Sequence, residues 1–463
     1  MVTGPEPDSA GSAPSGSGPT GRSGRGPRRR LSKLAIDTTP LRVPEFRRLW
    51  SAGVVAVIGS QFTVVAVPLQ LFRLTGSSAW VGLSGLFALV PLVVFGIWGG
   101  AVADRVDRRR LVVVTTGGIA VTSALLGALA LSGRAQVWTV LTLLAVQTAF
   151  VAVNQPARSA MIPRLVGPEL VAQANALNTT VFAGGVIGGP LLAGLLLPVT
   201  GVPLLYLLDA GGLVGALIVL RRLPAQGRPG GDAATGRRAS LAGSGLGDVL
   251  DGFRYLGTQR ILLASFAVDL VAMIAGMPRA LFPQLAQHTF GGPAAGGLAL
   301  GLLNAGIGIG AVVGGLTSGW MGRVDRMGRA VVLAVGVWGV AMIGFGLTGS
   351  LVVAVGFLAL GGLADNASAI LRSTILQTAA TDAMRGRLQG VFTVVVAGGP
   401  RLGDLVHGGV GQWTSARVAA AGGGVAVVVL LALVLLPLSA FWTYDRRRAP
   451  LPTDLAGRGQ LAD

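Results

Sequence analysis

Residues 99–110 read GGAVADRVDRRR. An apolar run without ionisable groups, from 80 to 102, ends here, and Asp104, Arg105, Asp107, Arg108, Arg109 and Arg110 follow at once. A second apolar run opens at Leu111 and continues to Leu131. Each run is long enough to cross a hydrocarbon core of ~30 Å, which takes about 20 helical residues. The stretch therefore predicts a tight charged loop between two membrane spans, its arginines marking the cytoplasmic side. Gly100 removes a side chain where helices in lipid come into contact.

The same alternation runs along the whole chain. Of 463 residues, 52% are hydrophobic and only 12% charged, against roughly 25% charged in a soluble domain; mean hydropathy is +0.69. Twelve apolar spans are read at 49–72, 80–102, 111–131, 137–157, 172–197, 202–220, 261–285, 297–320, 330–349, 351–371, 389–412 and 418–442. Of the 37 basic residues, Arg73, Arg134 and Arg417 fall in loops on one side, Arg279 and Arg401 fall within spans, and the rest share the side of the N-terminus. The expectation is a multi-pass protein of the cell membrane with both termini cytoplasmic. The formal charge of +18 is then a topology signal, and no nucleic-acid partner is expected.

Other function classes find no support. The chain has no cysteine, which excludes disulfides and thiolate metal sites. GIGIGAVVGG at 306–315 lies within the eighth span with no strand before it, unlike a dinucleotide loop. The sole lysine, Lys33, is followed by Leu34, so a phosphate-binding Gly-Lys-Ser/Thr is absent. No cofactor or metal is expected, and no nucleophile–base constellation suggests an enzyme.

The organisation reads as a basic, Gly/Pro/Ser-rich cytoplasmic arm (1–45), a six-helix half (46–220), a cytoplasmic linker (221–260), a second six-helix half (261–443) and a cytoplasmic tail (444–463). Composition predicts disorder in the arm and flexibility in the linker. At the end of the linker, LGDVLDGFRYL has the spacing of a surface amphipathic helix. VFAGGVIGGP at 181–190 echoes VFTVVVAGGP at 391–400, and RSAMIP at 158–163 echoes RSTILQ at 372–377 more loosely. Parallel repeats of this kind describe a transporter whose site lies between the halves.

At this point the chain resembles the major facilitator superfamily, whose loop between helices 2 and 3 reads G-x-x-x-D-R-x-G-R-R. Gly100, Asp104, Arg105, Arg108 and Arg109 match, and Asp107 replaces the second glycine. The resemblance implies that Asp104 gates the cytoplasmic side against the start of helix 11, near RGRLQG at 385–390, where a helix dipole favours an anion. GVIGGPLLAG at 185–194 is similar to the antiporter signature G-x-x-x-G-P-x-x-G-G through Gly185, Gly189, Pro190 and Gly194, with Ala193 in place of one glycine. Ordinary small-residue packing would account for the same glycines. An arginine within helix 4, carried by many proton-linked drug exporters, is missing from the fourth span, which offers Gln147, Asn154 and Gln155. From about 46 to 443 the layout resembles the enterobactin-exporter branch.

That resemblance implies an all-α integral membrane fold of twelve transmembrane helices in two pseudo-symmetric halves. It also implies alternating-access export of a bulky organic solute, a siderophore or a hydrophobic drug-like compound, by proton antiport. The expected partners are a small-molecule substrate, protons and membrane lipid, and the expected state is a monomer. Rival readings are proton-coupled import of a small nutrient and a non-transporting receptor or scaffold.

Within spans the ionisable set is Asp209, Asp269, Arg279, Asp365, Arg401, Asp404 and His407. Charge inside a membrane is costly and marks function by default. Asp269, Arg279, Asp365, Arg401 and Asp404 are the candidates for handling protons or substrate, with Asp269 expected to be a proton-carrying cavity carboxylate. Arg401 and Asp404 sit where the first repeat has Leu191 and Gly194, so the second copy gained charge. A static i, i+3 ion pair between them is the alternative, and His407 is read as a solvated or packed side chain.

Overall fold

The computed structural model describes residues 37–103, 106–224 and 246–445. The arm apart from 37–45, most of the linker, the tail from 446 onward, Asp104 and Arg105 lie outside the described residues. Every regular element among the described residues is helical. The first half holds α1 (Pro44–Thr75), α2 (Ser78–Ala103), α3 (Arg108–Leu131) and α4 (Val137–Val166), followed by the long helix Val171–Leu220. Gly201, at φ 70° and ψ 177°, breaks that helix into α5 (171–200) and α6 (202–220). A positive φ is cheap for glycine alone, so the reversal between two spans costs no loop.

The amphipathic helix α7 (Leu246–Thr258) precedes the second half: α8 (Arg260–Gly276), α9 (Gly292–Leu316), α10 (Met327–Leu347), α11 (Leu351–Ala379), α12 (Asp382–Trp413) and α13 (Ala416–Leu435). Gly252 of α7 sits against Val391 and the Arg387 carbonyl of α12, and Asp251 lies 3.8 Å from Arg387.

Among the described residues, ten helical stretches are long and apolar enough to cross a membrane. One of them, Pro168–Leu220, has 53 residues and is the pair folded at Gly201. α12 adds another 32-residue helix, which carries Arg401 and Asp404. The arrangement is consistent with the twelve-helix expectation. Several helices outrun their apolar runs: α4 continues past 157 and α11 past 371. A helix keeps its backbone hydrogen bonds satisfied wherever it goes, so it need not stop where the apolar side chains do.

The seventh span departs from the uniform helix read at 261–285. Met277 is extended at φ −100° and ψ 96°; a short 3-10 turn (Arg279–Leu281), a helical turn (Phe282–Leu285) and a π-helical turn (Ala286–Phe290) then complete the span. Unwound backbone at this depth is tolerated where it borders protein or a water-filled cavity.

Two seams join the halves, α2 against α12 and α5 against α9. Both are made by glycine. A Cβ on Gly82 would stand 2.4 Å from the Asp404 carbonyl oxygen, and one on Gly301 would stand 2.6 Å from that of Pro190. Gly408 lies against the Ser78 carbonyl, and Gly194 against Gly297 and Gly301. Ser78 also donates its hydroxyl to Gln284 of the seventh span at 2.6 Å. These contacts lie at the helix ends remote from the basic loops, so the halves are sealed there.

Overpacking a tight contact costs ~1–3 kcal/mol, enough to depopulate the sealed arrangement roughly tenfold. Gly82→Ala and Gly301→Ala should each open this end. Spin labels on cysteine pairs placed across the seams of this cysteine-free chain should show a longer distance population; an unchanged distribution would refute the role given to the glycines.

Candidate functional site

A cavity of about 840 Å³ lies between the halves. It runs from the glycine seal toward the basic-loop end, where Gly53, Arg158, Ser159 and Asn178 form its wall.

The second half contributes the charge. The break in the seventh span places Arg279 on the cavity wall, and Pro400, Arg401 and Asp404 of α12 line the same surface. Arg279 is exposed, and its exposure is to the cavity. The break also brings the backbone N–H of Ala280 near the Asp404 carboxylate. Among the described residues no ion pair within 4.0 Å joins Arg401 to Asp404, and Asp404 Oδ1 has no partner. The static i, i+3 pair is not made; Arg279 and Arg401 remain within electrostatic range of the carboxylate.

The first half contributes a polar wall with one guanidinium, Arg158, and one buried carboxylate. Asp209 of α6 accepts hydrogen bonds from Thr63 of α1 at 2.9 Å and Ser123 of α3 at 2.7 Å. Gln147 of α4 donates to the Ser123 hydroxyl at 2.7 Å. Asn154 also borders the cavity and donates to Thr115 and Thr116 of α3 at 2.7 and 3.0 Å. The extension of α4 past 157 brings Arg158 into the helix and onto the cavity wall, which corrects the reading that helix 4 carries no arginine. Arg158 donates to the Leu49 carbonyl at 2.6 Å, beside Gly53, whose missing side chain makes room for the guanidinium.

Asp269 is elsewhere. It is 2% exposed, absent from the cavity wall, and ion-paired at 2.5 Å with Arg372 of α11, which also donates to Ser368 at 3.1 Å. The structure therefore does not make Asp269 the expected cavity carboxylate; a cation holds its charge in place. Arg372 escaped the sequence reading because the tenth apolar run was closed one residue before it. The signal was present in the RSAMIP and RSTILQ echo, whose leading arginines are Arg158 and Arg372. Asp365 lies within electrostatic range of Arg372, Asp269 and Arg279, and it is not on the cavity wall. His407 is packed: it is 3% exposed, with Nδ1 3.1 Å from the Gly403 carbonyl and its ring against Gly423.

In the loop after α2, Asp107 accepts from the Arg110 N–H at 2.9 Å and caps α3, a service the family's glycine could not perform. Arg108 donates to the Ala160 carbonyl at 3.1 Å and Arg109 to that of Arg221, so these arginines tie α3 to α4 and to the end of α6. Gly100 lies in α2; the gate expected of Asp104 falls outside the described residues. In α5, Gly185 and Gly189 admit Val57 and Gln61 of α1, while Gly194 and the Pro190 carbonyl meet α9. The antiporter-like stretch is thus the face by which α5 packs against both halves.

Residues 35–450 match the family described as transmembrane secretion effector. The enterobactin exporters EntS of Shigella boydii serotype 18 and Shigella dysenteriae serotype 1 are each 31% identical over 407 residues, covering 86% of this chain and 93% of theirs. Among solved structures, a bacterial homologue of the human lysosomal transporter Spinster, inward-facing and unoccupied, superposes with a TM-score of 0.65 at 16% identity, over 89% of this chain and 98% of that one. The nucleoside transporter NupG does so with a TM-score of 0.68 at 13% identity, over 86% and 98%. At such identities the structural likeness speaks for the fold, and the family match speaks for the lineage. The chain belongs to the transmembrane secretion effector family of the major facilitator superfamily.

Proposed function

We propose that the protein is a secondary active exporter that moves a bulky organic solute of siderophore type across the cell membrane in exchange for protons. One observation carries this reading: a cavity between two halves, sealed at the end remote from the basic loops, with Arg279 and Arg401 on its wall. By the positive-inside rule the basic loops and both termini are cytoplasmic. The cavity then opens to the cytoplasm, and the structure is an inward-facing state able to take cargo from inside. Its volume falls within the ~300–1,000 Å³ of small-molecule sites. Arginines facing water inside a membrane protein suit an anionic group, and guanidinium forks bind such groups in a fixed geometry. The names of the relatives support a siderophore as the cargo class. One chain supplies both halves, so a monomer is the transporting unit.

Enterobactin serves as the probe. Everted membrane vesicles carrying the protein should accumulate it when their interior is acidified; accumulation only in right-side-out vesicles would mean import.

Losing a hydrogen bond to a charged group costs ~1.5–3 kcal/mol, or about ten- to a hundredfold in affinity. Arg401→Leu should weaken enterobactin binding by that factor. Replacing Arg401 alone also leaves Asp404 with less compensation, and an uncompensated buried charge is the worst case. The double variant Arg401→Leu with Asp404→Gly, the residues of the first repeat, should therefore express better than either single variant while failing to transport. Normal transport by the double variant would make these charges structural.

A further inference from the structure

Asp209 is 1% exposed in the middle of α6. Its Oδ2 takes both hydroxyl donors, Thr63 and Ser123. Its Oδ1 is buried and has no hydrogen-bond partner. Gly59 of α1 makes the space for that oxygen, since a Cβ there would stand 2.2 Å from it.

Among the described residues no cation forms an ion pair with this carboxylate. The surrounding helices carry no charged residue over 49–72 in α1, 78–103 in α2, 111–131 in α3, 137–157 in α4 or 171–200 in α5, and Tyr206, bonded to Gln70, is the other titratable group of α6. The next charge along α4 is Arg158, engaged with the Leu49 carbonyl. The acids of the second half differ in having cations near them: Asp269 has Arg372 at 2.5 Å, Asp365 has Arg372 and Arg279 in range, and Asp404 has Arg401 and Arg279 in range.

A carboxylate withdrawn from water without a counter-charge or a full set of donors is a costly species. Something from outside must neutralise it. A metal ion would need several oxygens converging on Oδ1, whereas the hydroxyls of Thr63 and Ser123 are directed to Oδ2 and the Ser123 oxygen also accepts from Gln147. A single bare oxygen suits a proton. Thr63, Gln147 and Asp209 all border the cavity, which supplies the route.

We infer that Asp209 is the proton-binding site of the first half, loading and releasing one proton through the central cavity. On release the O–H bond at Oδ1 breaks, the proton passes to cavity water, and the electron pair stays on the carboxylate, held by Thr63 and Ser123. The inference rests on the proton-exchange part of the function proposed above and moves the coupling from Asp269 to Asp209.

The test is a pH titration of the purified full-length protein in lipid vesicles, following the C=O stretch of protonated carboxyls by infrared difference spectroscopy. The wild type should show a titrating band from a buried acid. Asp209→Asn should remove that band and reduce acid-driven enterobactin accumulation at least tenfold. Thr63→Val keeps the carboxyl but removes one donor, so the band should persist with a shifted midpoint; this variant decides the matter if Asp209→Asn does not fold. A spectrum unchanged in Asp209→Asn, a midpoint unmoved in Thr63→Val, or a band that follows sodium rather than pH would overturn the assignment. If the wild type does not carry enterobactin, the proposed cargo fails, and the infrared titration still decides on Asp209.

Discussion

Hydrocarbon offers no water to a polar group, so every donor, acceptor and charge in this protein has to find its partner inside the chain or in the cavity. The helices answer that demand for most of the backbone. Where the seventh span unwinds after Gly276, a side chain of another helix stands beside the opened backbone: Asp404, close to the N–H of Ala280. The same side chain thus borders the unwound backbone and belongs to the charged wall. Any change of charge at Asp404 is felt by the short helix that presents Arg279.

The two halves show how a duplicated framework was put to two uses. Arg158 of α4 and Arg372 of α11 lead echoing stretches, and each reaches toward the first helix of its own half. Arg372 finds Asp269 there, while Arg158 finds a carbonyl beside Gly53. The copy in the second half is a closed ion pair, and that in the first half keeps a guanidinium on the cavity wall. Gly194 and Asp404, equivalent in the repeat, both lie on seams between halves. Their backbones carry the packing, and only one of them adds a charge.

Much of this was legible in the sequence, for reasons that are physical. Apolar runs and the one-sided arginines follow from the solvent, so the spans and the amphipathic α7 could be read directly. The loop motif could be read because its residue types and spacing are specific. What could not be read were relations across the fold. Arg158 and Arg372 lie beyond the apolar runs at 137–157 and 351–371, because an apolar run ends before a helix does. The bond between Asp269 and Arg372 joins α8 to α11, which no local pattern encodes. The break at Met277 was hidden too, since Gly276 and Pro278 lie in a stretch as apolar as its neighbours.

Beside the Ser78–Gln284 hydrogen bond, the closest approaches in the seal between the halves are made by main chain, at Gly82 and Gly408 on one side and at Gly194 and Gly301 on the other. Surfaces without side chains have no knobs to withdraw from holes. Parting them at these glycines requires no rotamer to change and leaves no empty socket behind. The halves can therefore roll on one another there as smooth bearings do, and the resistance to opening is set by the loss of many small dispersion contacts together with the one Ser78–Gln284 hydrogen bond.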